Sequence, residues 1–244
     1  MDAKDLTLKL YSNDPVYVSG VPIFPIPIRR IAQIGYTRFN AELRLLCLTE
    51  EDIKVLTGAD VSDIGVYTYL IANALQDANL MDTLVFWFSE ITHCRVVFSK
   101  HKLSFVTRAF EIGKENFTAV QSVIRQRNGL QDIEAEQDNP ENEAARRVLQ
   151  RRKEERLKRR KAKRSGEDES DITLSDLVSI LASGLGMTLQ DVMAYDIYQF
   201  NDQFNRLKIM DDYEISVQAL LHGAKKEDIH FTHWLTKIKH NPED

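Results

Sequence analysis

IRRIAQIGYTRFNAELRLLCLTEEDIKVLTG, residues Ile28 to Gly58, decides the fold class. Ile28, Ile31 and Ile34 recur at helical spacing up to Gly35, and Phe39, Leu43 and Leu46 continue on one face beyond it. Thr49 precedes Glu50, Glu51 and Asp52, an N-cap followed by acids in the first turn where the helix dipole favours them, and Gly58 supplies the stop. The stretch therefore predicts consecutive short helices, and the chain is expected to be mainly α.

Upstream, four of the six prolines (Pro15, Pro22, Pro25, Pro27) punctuate LTLKLY and PVYVSGVPIF. Proline cannot donate to an interior ladder, so these runs predict edge strands or extended segments. Downstream, helices are expected at roughly 63–78 and 81–91, apolar on most faces (VYTYLIANAL, LVFWF) and so central to the core. CRVVFSKHKLSFVT, 94–107, changes to strand character with a polar SKHK turn and predicts a hairpin. ENFTAVQSVIRQRNG returns to helical spacing and ends at Asn128-Gly129. Residues 1–131 thus form a mixed α+β N-terminal domain.

The charge pattern then breaks. Of the 32 Lys and Arg residues, twelve lie between Arg146 and Arg164, with only Glu154 and Glu155 opposing them, so that the rest of the chain holds 20 bases against 35 acids. Val148, Leu149 and Leu157 are too few to bury a face, and 132–170 is read as a charged linker or solvated helix between two independently folding parts. Beyond it, 171–240 predicts a small all-helical module. Thr173 with Asp176, Thr188 with Asp191, and Asp196 with Gln199 are N-cap pairs. Helices are expected at about 174–183, 189–194, 197–210, 213–222 and 230–238, with Gly184 and Gly223 as stops. The fold class is mainly α with a small β element (α+β).

Several functions are disfavoured. No apolar run approaches the roughly 20 residues of a membrane span, and the N-terminus has neither a basic n-region nor an apolar h-region, which points to a cytoplasm. Cys47 and Cys94 suit neither a disulfide framework nor a thiolate metal site and read as small core residues. GxxxxGK[ST], GxGxxG, GxSxG and HExxH do not occur, so no catalytic residue and no cofactor is assigned. His230 and His233 share a helical face but lack the third and fourth ligands that zinc demands.

Two surfaces remain. The basic block (Arg146, Arg147, Arg151, Arg152, Lys153, Arg159, Arg160 and their neighbours) could neutralise phosphates. It lacks interleaved aromatics and is flanked by acids, so a spacer or a docking arm for an acidic protein is preferred over specific nucleic-acid binding. In the C-terminal part, Ile197, Phe200, Phe204 and Leu207 form one stripe that reads as core. Tyr198, Met193 and Met210 fall off it; with Tyr195 and Trp234 they are the candidate partner-binding residues, an adaptable apolar surface for a helix.

IPIRRIAQIGYTRFNAELRLLCLTEEDIK, NPENEAARRVLQRRK, and LQDVMAYDIYQFNDQFNRLKIMDDYE followed by HFTHWLTKI together resemble cytoplasmic tail assembly chaperones and similar tail-gene-cluster proteins from phages of Gram-positive bacteria. The family pattern D-[IV]-x-x-[FLY]-[DT]-[IL]-Y-Q and closing tryptophan are matched at Asp191, Val192, Asp196, Ile197, Tyr198, Gln199 and Trp234, with Met193 where the pattern carries tryptophan. The resemblance implies a non-enzymatic chaperone of the host cytoplasm. It would bind the tape measure protein and the tail tube protein, with self-association also open, and would be absent from the mature virion. The rivals are a structural component of the tail, neck or baseplate, and a nucleic-acid-binding protein using the basic block.

Overall fold

The computed structural model describes residues 3–130, 172–223 and 233–236. Its first element corrects the strand reading of LTLKLY: α1 (Ala3–Leu10) is a helix. The alternation L-T-L-K-L satisfies period two, but Leu6 and Leu10 also stand four apart. In the structure these two face the core while Leu8 is exposed, so burial selects the helical period. Of the four prolines, Pro22 lies in a strand and Pro15, Pro25 and Pro27 lie outside strands. β1 (Val16–Val18) and β2 (Val21–Ile23) form a two-stranded antiparallel hairpin pairing Tyr17 with Pro22. Ser19 and Gly20 between them both have positive φ, as a tight hairpin turn of two residues requires.

The deciding stretch becomes α2 (Ile28–Ile34), α3 (Tyr36–Leu46) and α4 (Glu50–Thr57). Gly35, at φ 98°, separates the first two. Phe39, Leu43 and Leu46 are buried as their spacing predicts. Thr49 and Asp52 cap each other's backbone amides, and Gly58 closes α4 in the left-handed region. α5 (Val66–Ala74) and the longer α6 (Ala78–Thr92) run through the centre, where Trp87 and Phe88 are fully buried. The Trp87 Nε1 donates to Glu42 Oε2 at 2.9 Å, so the largest core side chain keeps a hydrogen bond.

The hairpin expected at 94–107 is present as β3 (Val97–Ser99) and β4 (Ser104–Val106), and a third strand, β5 (Glu111–Ile112), extends it into an antiparallel sheet. α7 (Phe117–Arg127) follows and ends at Asn128-Gly129. In the C-terminal part, α8 (Leu174–Leu185), α9 (Leu189–Met193) and α10 (Ile197–Leu221) each begin with a complete capping box at the three predicted N-caps.

Several boundaries differ from expectation: α5 covers 66–74 rather than 63–78, and α6 begins at Ala78 rather than 81. Gly184 lies inside α8, and the left-handed C-cap is Gly186. α10 is one helix of 25 residues where a break near 210–213 was expected. The Ile-Met-Asp-Asp-Tyr-Glu run offers neither glycine nor proline, so nothing interrupts the ladder.

The protein is mainly α with small antiparallel sheets. One apolar cluster is built on Trp87, Phe88 and Phe105; a second joins Val178, Leu181, Val192, Phe200 and Leu207. The two interlock, because Ile28 of the N-terminal part belongs to the second and Tyr198 of α10 to the first. Among the described residues, no helix is long and apolar enough to cross a membrane. The expected linker at 132–170, with its basic block, lies outside the described residues, as does most of the helix expected at 230–238.

Candidate partner-binding surface

α10 does two things along its length. Its first three turns are the structural joint between the N- and C-terminal parts. Asp196, the N-cap, accepts from Gln199 N and from Arg127 Nη1 at 3.1 Å, and both charged side chains are only 2% exposed. Arg127 also donates through Nη2 to Asp14 O at 2.8 Å. Burial raises the Asp196 carboxyl and lowers the Arg127 guanidinium, each against the attraction of the other.

Gln199 Nε2 donates to Tyr11 O, and the Tyr11 hydroxyl donates to Asp202 Oδ1, both at 2.8 Å. Burial first, then the Asp202 carboxylate, push the Tyr11 hydroxyl well above its ordinary value, so it stays a donor. Tyr11 and Tyr198 meet edge to face at 5.5 Å. Ile28 N donates to Tyr195 O at 2.8 Å, tying the start of α2 to the loop before α10. This buried network favours one arrangement of the parts, because losing a partner carries a desolvation penalty; Arg127 Nε is its one buried atom without a hydrogen bond.

Beyond Leu207 the helix changes character. From Lys208 to Leu221 no residue is buried, and large apolar side chains face solvent: Met210 at 36%, Ile215 at 65% and Leu221 at 81% exposure. Arg206, Met210, Tyr213 and Val217 fall at i, i+4, i+7 and i+11, one face of the helix. The segment His233 to Thr236 lies at the near end of that face. Arg206 Nη1 donates to the carbonyls of Trp234 at 2.7 Å and Thr236 at 2.8 Å. The Tyr213 ring meets His233 edge-on at 5.1 Å, and His233 stacks on Trp234 at 5.9 Å. Trp234 is 42% exposed. Glu214 is exposed beside that face, while exposed Asp211, Asp212 and Ile215 fall on the opposite side of the helix.

The five predicted partner-binding residues therefore separate. Tyr198, expected at the surface, is 6% exposed and belongs to the core, because Tyr11 arrives from α1 to cover it. Met193 and Tyr195 are half-buried against the second cluster, where the Tyr195 hydroxyl lies 3.5 Å from Met187 Sδ. Met210 and Trp234 are exposed, at and beside the face described above. The basic-linker arginines and lysine and His230 lie outside the described residues. Exposed Ile215 and Leu221 were not singled out from sequence; the missing helix stop between 207 and 221 was the signal for them.

Elsewhere, Cys47 is buried with its thiol pushed up to about 12, while Cys94 is half-buried rather than core. Among the described residues no group of His, Cys, Asp and Glu is arranged to hold a metal. A shallow hollow of about 250 Å³ lies between Pro25, Pro27, Arg30, Glu90 and His93. Arg30 spans Glu90 through Nε at 2.6 Å and Nη2 at 2.9 Å, which occupies its fork and holds the Glu90 carboxyl below the usual range.

Residues 161–239 match the family model of the YomV second domain, a phage-associated family. The matched region contains α8, α9, α10 and the 233–236 segment, and it supports a phage origin for the chain. No curated protein and no solved structure matches the chain.

Proposed function

We propose that this chain is a non-enzymatic tail assembly chaperone that binds the tape measure protein in the host cytoplasm and supports tail tube assembly around it. The observation that carries the reading is the second half of α10, where no residue from Lys208 to Leu221 is buried and Met210 and Leu221 are exposed. A long amphipathic helix awaiting its tube exposes an apolar face of its own. Laying that face along Met210 to Leu221 would cover both, while the acidic remainder of the chain keeps the complex soluble.

The phage-associated match and the family resemblance supply the setting. The test is co-expression with the tape measure protein, followed by capture on a tag. Wild type should retain it in soluble form, and Met210→Ser with Leu221→Ser should lose most of it. Mass spectrometry of purified particles should find no copy of the chain. Stoichiometric copies there would favour the structural virion component instead.

A further inference from the structure

We propose that two exposed patches of opposite charge on the N-terminal part dock against each other between copies of this chain: the outer face of the three-stranded sheet on one copy, and α4 with the loop after it on a second. The inference stands apart from the reading of α10, since it uses neither that helix nor its partner.

The sheet supplies the basic patch. Phe98, Phe105 and Ile112 stand side by side across the strands, and Phe105 and Ile112 are buried, so that row faces the core. Alternation puts Val97, Val106 and Glu111 on the outer face, where Val97 is 49% exposed. Arg95, separated from Val97 by buried Val96, continues that face, and Arg108 follows Val106 at the same end of the sheet. Residues 95–114 hold five bases, all exposed, and one acid, Glu111, which Lys102 pairs at 2.8 Å. Arg95, Lys100, Arg108 and Lys114 form no ion pair among the described residues.

α4 and the loop to Ile64 supply the acidic patch, with Glu50, Glu51, Asp60 and Asp63 exposed against one exposed base, Lys54. Val55, at i+4 from Glu51 and so on the same side of α4, is 79% exposed, and Leu56 beside it is exposed as well. Each patch thus has apolar residues within a rim of one sign, the layout of a protein interface, and the two signs are opposite. A sheet set against a second sheet would repel, so the rims select α4 of the other copy. Because the two patches differ, the contact closes reciprocally in a pair or repeats head to tail.

The test is sedimentation velocity of the full chain over a concentration series. Wild type should self-associate in about 50 mM NaCl and weaken roughly tenfold in about 500 mM, where exposed charges are screened. At low salt, Arg95→Glu with Arg108→Glu should weaken association roughly tenfold, and Glu50→Lys with Glu51→Lys should do the same. An equimolar mixture of the two double variants should recover the wild-type affinity, because the reversed sheet of one meets the reversed α4 of the other. Val97→Ser, which alters no charge, should weaken association about threefold. All these positions are exposed, so circular dichroism should stay as in wild type. Should a reversal unfold the chain, Arg95→Gln with Arg108→Gln takes its place, with about threefold weakening expected.

A wild-type chain that stays monomeric at low salt would overturn the contact, as would association that neither double variant changes. A mixture no tighter than its components would show that the two patches do not meet. A monomeric wild type that binds a DNA duplex, and loses it in Arg95→Glu with Arg108→Glu, would assign the sheet to phosphates instead.

Discussion

The two halves of α10 share one backbone and differ in what their side chains meet. From Ile197 to Leu207 the helix buries Tyr198, Gln199, Phe200, Asp202 and Leu207, and its polar members bond to residues nearly 190 positions away, such as Tyr11. From Lys208 to Leu221 it buries none and exposes Met210, Ile215 and Leu221. The first half buries the polar Gln199 and Asp202 along with its apolar side chains, and the second leaves three large apolar ones exposed, which polarity alone would not assign. Buried polar groups persist where most of their hydrogen bonds are made, and exposed apolar groups mark a surface suited to a partner.

The largest effect should come from the joint. Arg127→Met leaves the Asp196 charge buried without its partner and should cost about 3–5 kcal/mol in urea unfolding. A loss below about 1 kcal/mol would mean that the seam opens to water and the halves differ less than described. Tyr198→Ala removes a ring packed between Tyr11 and the first cluster and should cost about 3 kcal/mol as a cavity. A near-neutral result would return Tyr198 to the surface.

Gly184→Ala sharpens the comparison at the border. Glycine to alanine within a helix ordinarily gains about 1 kcal/mol. Here the new Cβ would stand 2.6 Å from Leu207 Cδ2, and overpacking a buried leucine costs about 1–3 kcal/mol, so a net loss of about 1 kcal/mol is expected. On the second half, Met210→Ser with Leu221→Ser should change stability by no more than about 1 kcal/mol while reducing partner capture.

The smallest effect is electrostatic. Asp176 and Asp191 are held below the usual carboxylate range by hydrogen bonds from Thr173 and Thr188. A folded value below the unfolded one means that their contribution is complete above the unfolded value and is lost as pH falls through the folded one. Thr173→Val with Thr188→Val should flatten the acid side of the melting temperature against pH, leaving the neutral shape unchanged. A steeper acid slope in the double variant would refute the cap assignment.

What could be read in the letters follows the range of the interactions. Thr173, Thr188 and Asp196 with their partners three residues on were legible because a capping box is local, and all three are formed. The Phe39, Leu43, Leu46 stripe was legible for the same reason. α1 was not, because L-T-L-K-L fits two periods and only the distant core decides between them. The Arg127–Asp196 pair joins residues 69 apart, and Arg127 sits in a polar RQRNG run that reads as an exposed helix end. Tyr198 was misplaced because the ring that covers it comes from the other end of the chain. Of the candidate surface, Met210 and Trp234 were legible as residues outside the core stripe, while Arg206 gained its role only from carbonyls that the sequence does not display.

Hydrogen exchange along α10, measured with the chain alone and with the proposed partner, the tape measure protein, added, tests the division most directly. The account predicts slow exchange from 200 to 207 in both states, and faster exchange from 210 to 221 that becomes protected on binding. Equal protection of both halves in the free chain, or protection on binding that appears elsewhere and spares 210 to 221, would contradict it.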